Sequence, residues 1–214
     1  MPNYPLKLVG ATGQFMNGMV IVCGGYYSVT NECHKLSKGE SAFKFLTSMQ
    51  EKRSEASSTI INENLWVTGG QNENGINLKT TEFVISQSAD TKSILTQNII
   101  LPEPVRMHVI LNLNYTTSIL IRGYRNGDWT SDKTHYYNHV NKEWITGPKL
   151  MNGRSQHTAG IIKDQGTYEE HIVVVGGYDG NGSTDSVEII FNGKHVWTKG
   201  ISLNWNHFDL LNCL

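Results

Sequence analysis

The sequence predicts an all-β chain of about four similar copies, each of four antiparallel strands, and three observations predict it. Short β-branched runs end at glycine again and again: IVCGG at Gly25, WVTGG at Gly70, LIRGY at Gly123 and VVVGG at Gly177. These glycines lie 45, 53 and 54 residues apart, the interval of a repeat architecture. Each is followed by a polar loop and a second alternating run, which is the pattern of an antiparallel pair.

The internal spacing of the copies is correlated. Arg53 precedes Gly70 by 17 residues and Arg106 precedes Gly123 by 17, whereas Arg154 precedes Gly177 by 23. The six extra residues fall in KDQGTYEE, which reads as a longer hairpin loop. A polar residue in the second run is followed nine positions later by a bulky one in three copies: His34 with Phe43, His135 with Trp144, and Glu188 with Trp197. The second copy departs, with Glu82 and then Thr91.

In chain order, the first copy spans about 8–46, with KLVGATG, MVIVCGG, ECHKLS and FKFL as its strands. The second, about 53–100, runs through SSTII, LWVTGG, TTEFVIS and SILTQNII. The third, about 106–147, holds HVILNL, SILIRGY, THYYNHV and EWITG, and the fourth covers about 154–200. In the remaining 201–214, His207 lies ten residues after Trp197, as Arg53 does after Phe43 and Arg154 after Trp144, so the tail reads as part of a fifth copy's first strand. Alternation within the apolar runs makes Val20, Val22, Val67, Ile119, Ile121, Val173 and Val175 the expected stacking positions.

Bulk properties bound the functional classes. With 214 residues, 38% apolar and 17% charged, the chain suits one large globular domain. A net charge of −1 argues against a nucleic-acid binder or a membrane-surface stripe. No apolar run approaches a membrane span and the start lacks a secretory signal pattern, so a cytoplasmic protein is expected. Cys23, Cys33 and Cys213 are read as free thiols, with a Cys23–Cys33 disulfide as the alternative.

The best copy, LMNGRSQHTAGI, HIVVVGGYDGNGSTDSVEIIF and then Trp197, resembles the kelch repeat in its Met, Arg and His before the first strand, its double glycine, its Ser-Val-Glu and its Trp. The resemblance runs from near Leu8 to near His207 and is weakest in the first copy, which lacks the Arg and the Trp. It implies a kelch-type β-propeller in which each copy is a blade. Such propellers usually have six or seven blades, so four imply closure by themselves, pairing of the tail elsewhere, or a fragment or degenerate copy of a longer propeller. The last is the preferred expectation, with an incomplete or open ring.

Candidate chemistry is sparse. His135 and His139 lie on one strand face, but no further ligands converge on them at a recognisable spacing, and no metal or cofactor is expected. GGYDGNG lacks the Lys-Ser/Thr of a phosphate loop, and no nucleophile elbow occurs. The alternative that the resemblance brings, a galactose-oxidase-like enzyme or its remnant, needs a placed cysteine that is not found. The chain is therefore expected not to be an enzyme but a protein-interaction module. By the same resemblance it could serve as the substrate-binding part of a cullin ubiquitin ligase adaptor or as an actin-binding protein.

The binding face is expected where the loops after each second and fourth strand gather. Arg53, Arg106, Tyr124, Arg125, Trp129, Arg154 and Tyr178 lie in those loops. Guanidinium forks among aromatic rings suit a protein or acidic peptide partner. For the arginines at 53, 106 and 154 the alternative is a repeated structural hydrogen bond, and for Trp129 it is local packing.

Overall fold

The computed structural model describes residues 4–85, 94–95, 99–125, 127–191 and 194–203. Among them every regular element is a strand: β1 (Thr12–Met16), β2 (Met19–Cys23), β3 (Glu32–Ser37), β4 (Lys44–Ser48), β5 (Ser57–Ile61), β6 (Asn64–Thr68), β7 (Thr81–Ile85) and β8 (Ile94–Leu95). Then follow β9 (Val109–Asn114), β10 (Thr117–Ile121), β11 (Thr134–Asn138), β12 (Glu143–Thr146), β13 (Thr158–Lys163), β14 (Glu170–Val175), β15 (Val187–Ile190) and β16 (Thr198–Lys199). They form four antiparallel meanders, β1–β4, β5–β8, β9–β12 and β13–β16, so each sequence copy is one sheet. No helix long and apolar enough to cross a membrane is present among the described residues.

Local chemistry accounts for the hairpins. β1 and β2 are joined by Asn17 and Gly18 at φ 51° and 78°, and β5 and β6 by Asn62 and Glu63 at 48° and 60°. Two successive residues at positive φ give the turn whose twist matches that of the flanking strands. The first strand begins at Thr12 rather than near Leu8, because Gly10 turns the chain at φ 65°. Ahead of it, Val9 makes only an isolated bridge with Tyr26.

The chain divides into two compact units, Met1–Arg106 and Met107–Leu214, each containing two sheets. In the first unit Ile21 and Cys23 of β2 and Cys33 of β3 pack with Leu65, Val67 and Val84 of the second sheet. In the second unit Ile119 and Ile121 of β10 pack with Ile172, Val174 and Ile190 of the fourth sheet, and Trp197 completes the cluster. The Trp197 indole donates to the Pro148 carbonyl at 3.0 Å, which satisfies the one polar atom of a buried ring.

This packing corrects four of the seven expected stacking positions. Val67, Ile119 and Ile121 are in the cores, but Val20, Val22, Val173 and Val175 lie on the opposite face of their strands from Ile21, Cys23 and Val174. The reason is directional stacking. Counted back from the marked glycine, the first and third sheets give their second and fourth residues to the core cluster of their unit, while the second and fourth sheets give their third and fifth. Each unit thus presses one face of a sheet against the other face of its neighbour, and a fixed sequence offset cannot name the core side of both.

One further expectation changes. Cys23 and Cys33 are joined in a disulfide rather than left as free thiols. They are directly opposite one another on β2 and β3, and both are buried, so the strand pairing itself brings the sulfurs together. Residues 201–203 form no strand, and Leu203 donates its N–H to Asp185. The rest of the tail, with His207 and Cys213, lies outside the described residues, as does Thr91.

Unreduced protein, unfolded and alkylated, should therefore label one of its three cysteines, and all three after reduction. Replacing Cys23 and Cys33 by Ala should lower stability by about 2–4 kcal/mol. Labelling of all three without reductant would refute the pairing.

Candidate functional site

The polar residue noted in each copy takes one register position in all four sheets. His34 pairs with Val22, Glu82 with Val67, His135 with Leu120, and Glu188 with Val174. All four side chains are buried, which demands an internal partner for each.

In the second and fourth sheets that partner is a loop arginine. Arg53 donates to Glu82 at 2.5 Å and to the Gly69 and Thr80 carbonyls at 2.8 and 3.3 Å. Arg154 donates to Glu188 at 2.6 Å and to the Gly176 and Ser186 carbonyls at 3.0 and 3.2 Å. Each carboxylate also accepts two backbone N–H groups of the preceding loop, Gln50 and Glu51 for Glu82, Met151 and Asn152 for Glu188. The loop that leaves one sheet is thereby fastened to the third strand of the next.

These arginines are not partner contacts. Arg53 and Arg154 are 0% exposed, so the expectation that they face a ligand is corrected in favour of the structural bond. The physical reason is the low-dielectric junction between stacked sheets, where burying a guanidinium is costly unless a carboxylate and carbonyl oxygens pair with it. Arg106 is partly exposed, and it donates to Glu55 and, at 3.4 Å, to Gln71. At His34 the equivalent place is covered by Tyr4, whose hydroxyl lies 3.1 Å from the ring nitrogen. Burial, and then the Glu32 charge, push the Tyr4 hydroxyl up to about 12.

The double glycine makes the close approach of loop and strand possible. A Cβ on Gly70 would stand 2.6 Å from the Ser54 carbonyl oxygen, and one on Gly177 would stand 2.4 Å from that of Ser155. Both glycines also have φ of 94°, where side chains are strained. The bridges Ser54 to Gln71 and Ser155 to Tyr178 form at these contacts.

In the second unit the loops 122–133, 147–157 and 176–186 are hydrogen-bonded into one surface, through Ser131 with Arg154, Leu150 with Asp132, and Ser155 with Tyr178. Tyr124, Arg125 and Trp129 come together on the first of these loops. Arg125 and Asp128 exchange both backbone hydrogen bonds, and the Tyr124 and Trp129 rings meet edge to face at 5.3 Å. Trp129 is nevertheless 67% exposed, which favours contact over packing. Tyr178 is half-buried, its hydroxyl donating to the Gly180 carbonyl at 3.0 Å. Arg53 and Arg106 belong to the other unit.

Beside this aromatic pair opens a cleft of about 290 Å³, lined among others by Arg122, Arg125, Lys133, Asp128 and Asp132. Sequence reasoning did not reach it. The available signal was the anomaly at Arg122, which stands where Gly24, Gly69 and Gly176 stand in the other copies.

No protein-family model matches the chain, and no curated protein matches it. Solved structures do. One, titled "Structure of YjhT", is similar over 95% of this chain and 68% of its own length, with a TM-score of 0.74 and 15% sequence identity. A likeness at that identity speaks for the fold alone.

His157 supplies a measurable consequence of the buried junction. Burial, then the Arg154 charge and then His108, hold its pKa down at about 3, while the Ile121 backbone works the other way. The unfolded chain takes up this proton near pH 6.5, so the native state loses stability as the pH falls from there toward 3. Between about pH 6 and 4 the wild type should lose about 1.4 kcal/mol per pH unit more than His157→Asn in urea titrations. Parallel curves for the two proteins would show that His157 is not held neutral.

Proposed function

We propose that this chain is a protein-interaction module, a kelch-type β-propeller or part of one, that offers the loop surface of its second unit to a partner protein. The observation that carries this reading is the exposed Trp129, held edge-on by Tyr124 beside Arg125. Large rings of low conformational entropy next to a guanidinium are the composition of interface hot spots. The stacked meanders keep the loops in fixed positions, as a recognition surface requires. Four four-stranded meanders with one shared register position, together with the likeness to a solved structure over most of the chain, support the propeller reading.

The partner expected for this surface is an acidic segment of another protein, and the role is binding rather than catalysis. A cytoplasmic setting suits the composition. The Cys23–Cys33 bond is compatible with it only through protection, since both sulfurs are buried in the sheet and reductant reaches them when the strands part.

Panning a displayed-peptide library with the purified chain should enrich acidic peptides. Calorimetry on an enriched peptide should show at least about tenfold weaker binding to Trp129→Ala, a loss of about 1.4 kcal/mol, with circular dichroism unchanged. Equal affinity of folded Trp129→Ala, or no acidic enrichment, would overturn the reading.

A further inference from the structure

Four of the apolar positions that alternation marks for stacking, Val20, Val22, Val173 and Val175, lie outside the core clusters of their units. They belong to two outer faces, one on the first sheet and one on the fourth, each turned away from the core of its unit. On the first sheet Phe15, Val20 and Leu36 stand side by side across three strands, and Val22, His34 and Phe45 form the next row. Phe15 is 69% and Phe45 58% exposed, while His34 is covered by Tyr4. On the fourth sheet Gly160, Val173 and Ile189 form one row, flanked by the exposed Ile162 and by Val175. A sheet with one face in water alternates apolar and polar residues, whereas MVIVC and HIVVV are apolar on both faces, the composition of strands covered on both sides.

The stacking inside each unit specifies what fits these faces. There the face bearing the second and fourth residues before the marked glycine meets the face bearing the third and fifth. The outer face of the first sheet, with Val20 and Val22, is of the latter kind, and that of the fourth sheet, with Val173 and Val175, is of the former. One chain therefore carries both halves of the junction that each of its units builds internally. Their relief agrees with this, since two phenylalanine rings project from the first sheet and Gly160 leaves a recess in the fourth, with no heavy atom within 4 Å of where its Cβ would stand.

The area favours the same occupant. Covering Phe15 and Phe45 buries about 100–150 Å² each, and with Val20, Val22 and Leu36 the first-sheet face offers roughly 400 Å². One junction then buries about 800 Å² over both partners, less than a stable complex needs, whereas two copies that engage both faces of each bury about 1,600 Å². A partner with a single matching face lacks the second junction.

We propose that these faces bind a second copy of this chain, the outer face of the fourth sheet of one copy lying on the outer face of the first sheet of the other. The residues are distinct from those around Trp129, so the inference does not rest on the reading of that loop surface.

Sedimentation velocity of the full chain, from about 5 to 200 μM, tests it, a range suited to an interface of this size. The weight-average mass should rise from 24.0 kDa toward the dimer, and growth beyond a dimer would show the same head-to-tail pairing without closure. Phe15→Asp with Phe45→Asp spoils the first-sheet face, and Gly160→Asp with Ile162→Asp spoils the fourth-sheet face. Each double variant alone should associate at least tenfold more weakly than wild type, while an equimolar mixture, which keeps one intact face of each kind, should regain a 1:1 complex. Should either double variant not fold, Phe15→Lys or Gly160→Glu alone takes its place, each at a position open to solvent. Trp129→Ala should associate like wild type, which separates this surface from the one proposed for the acidic partner. A wild type that stays monomeric throughout the range, a fourth-sheet variant that still associates like wild type, or a mixture that regains nothing would overturn the proposal.

Discussion

The buried bond between a loop guanidinium and a third-strand carboxylate is the interaction on which each unit of this protein depends. Glu188 is held by Arg154 at 2.6 Å and by two backbone N–H groups, and Glu82 is held in the same way. Removing two charges from water costs several kcal/mol per ion, which is offset only when both are fully hydrogen-bonded. That requirement gives the junction its definition. The loop must leave the preceding sheet at one height and one angle, or the carboxylate loses its N–H donors and the arginine its carbonyls.

From this constraint the rest follows in each unit. The loop that supplies the arginine also supplies Ser54 or Ser155, whose carbonyl comes so close to Gly70 or Gly177 that any side chain there would collide. The double glycine is therefore a packing requirement of the ion pair's loop. With the loop fixed, one face of a sheet meets the other face of its neighbour, and the apolar cores around Val67 and Val174 close beneath the charges. The loop surface carrying Tyr124, Arg125 and Trp129 lies on the same framework, since Ser131 pairs with Arg154 itself.

Much of the fold was legible because strand pairing converts spacing into register. His34, His135 and Glu188 are marked by their distance to a later bulky residue, Glu82 is the polar residue of the copy that departs from that spacing, and all four occupy the same place beside the second strand. Direction across a sheet was less legible. Alternation places Val20 and Ile21 on opposite faces but does not say which face a neighbour covers, and that choice reverses between the two sheets of each unit. The fate of Arg53 and Arg154 was hidden for a related reason. A loop arginine followed 29 or 34 residues later by a glutamate leaves no local pattern, and only the pairing of β6 with β7 and of β14 with β15 brings the two together. The disulfide was within reach of the sequence, since Cys23 and Cys33 end up directly opposite on adjacent strands, but composition spoke for thiols. The cleft was announced only by a broken rule, the arginine at 122 where the other copies have glycine.

The geometry shared by the two arginine–glutamate junctions is internal bracing and not a ligand-binding device. A double-mutant cycle on Arg154→Met and Glu188→Gln, read by urea unfolding with Trp197 as a fluorescent reporter, measures it most directly. The account predicts a loss of about 3–5 kcal/mol for each single variant, and a double variant that falls short of the sum by at least about 2 kcal/mol. Small and additive losses would contradict it, because they would mean that Arg154 and Glu188 contribute to the fold independently of each other.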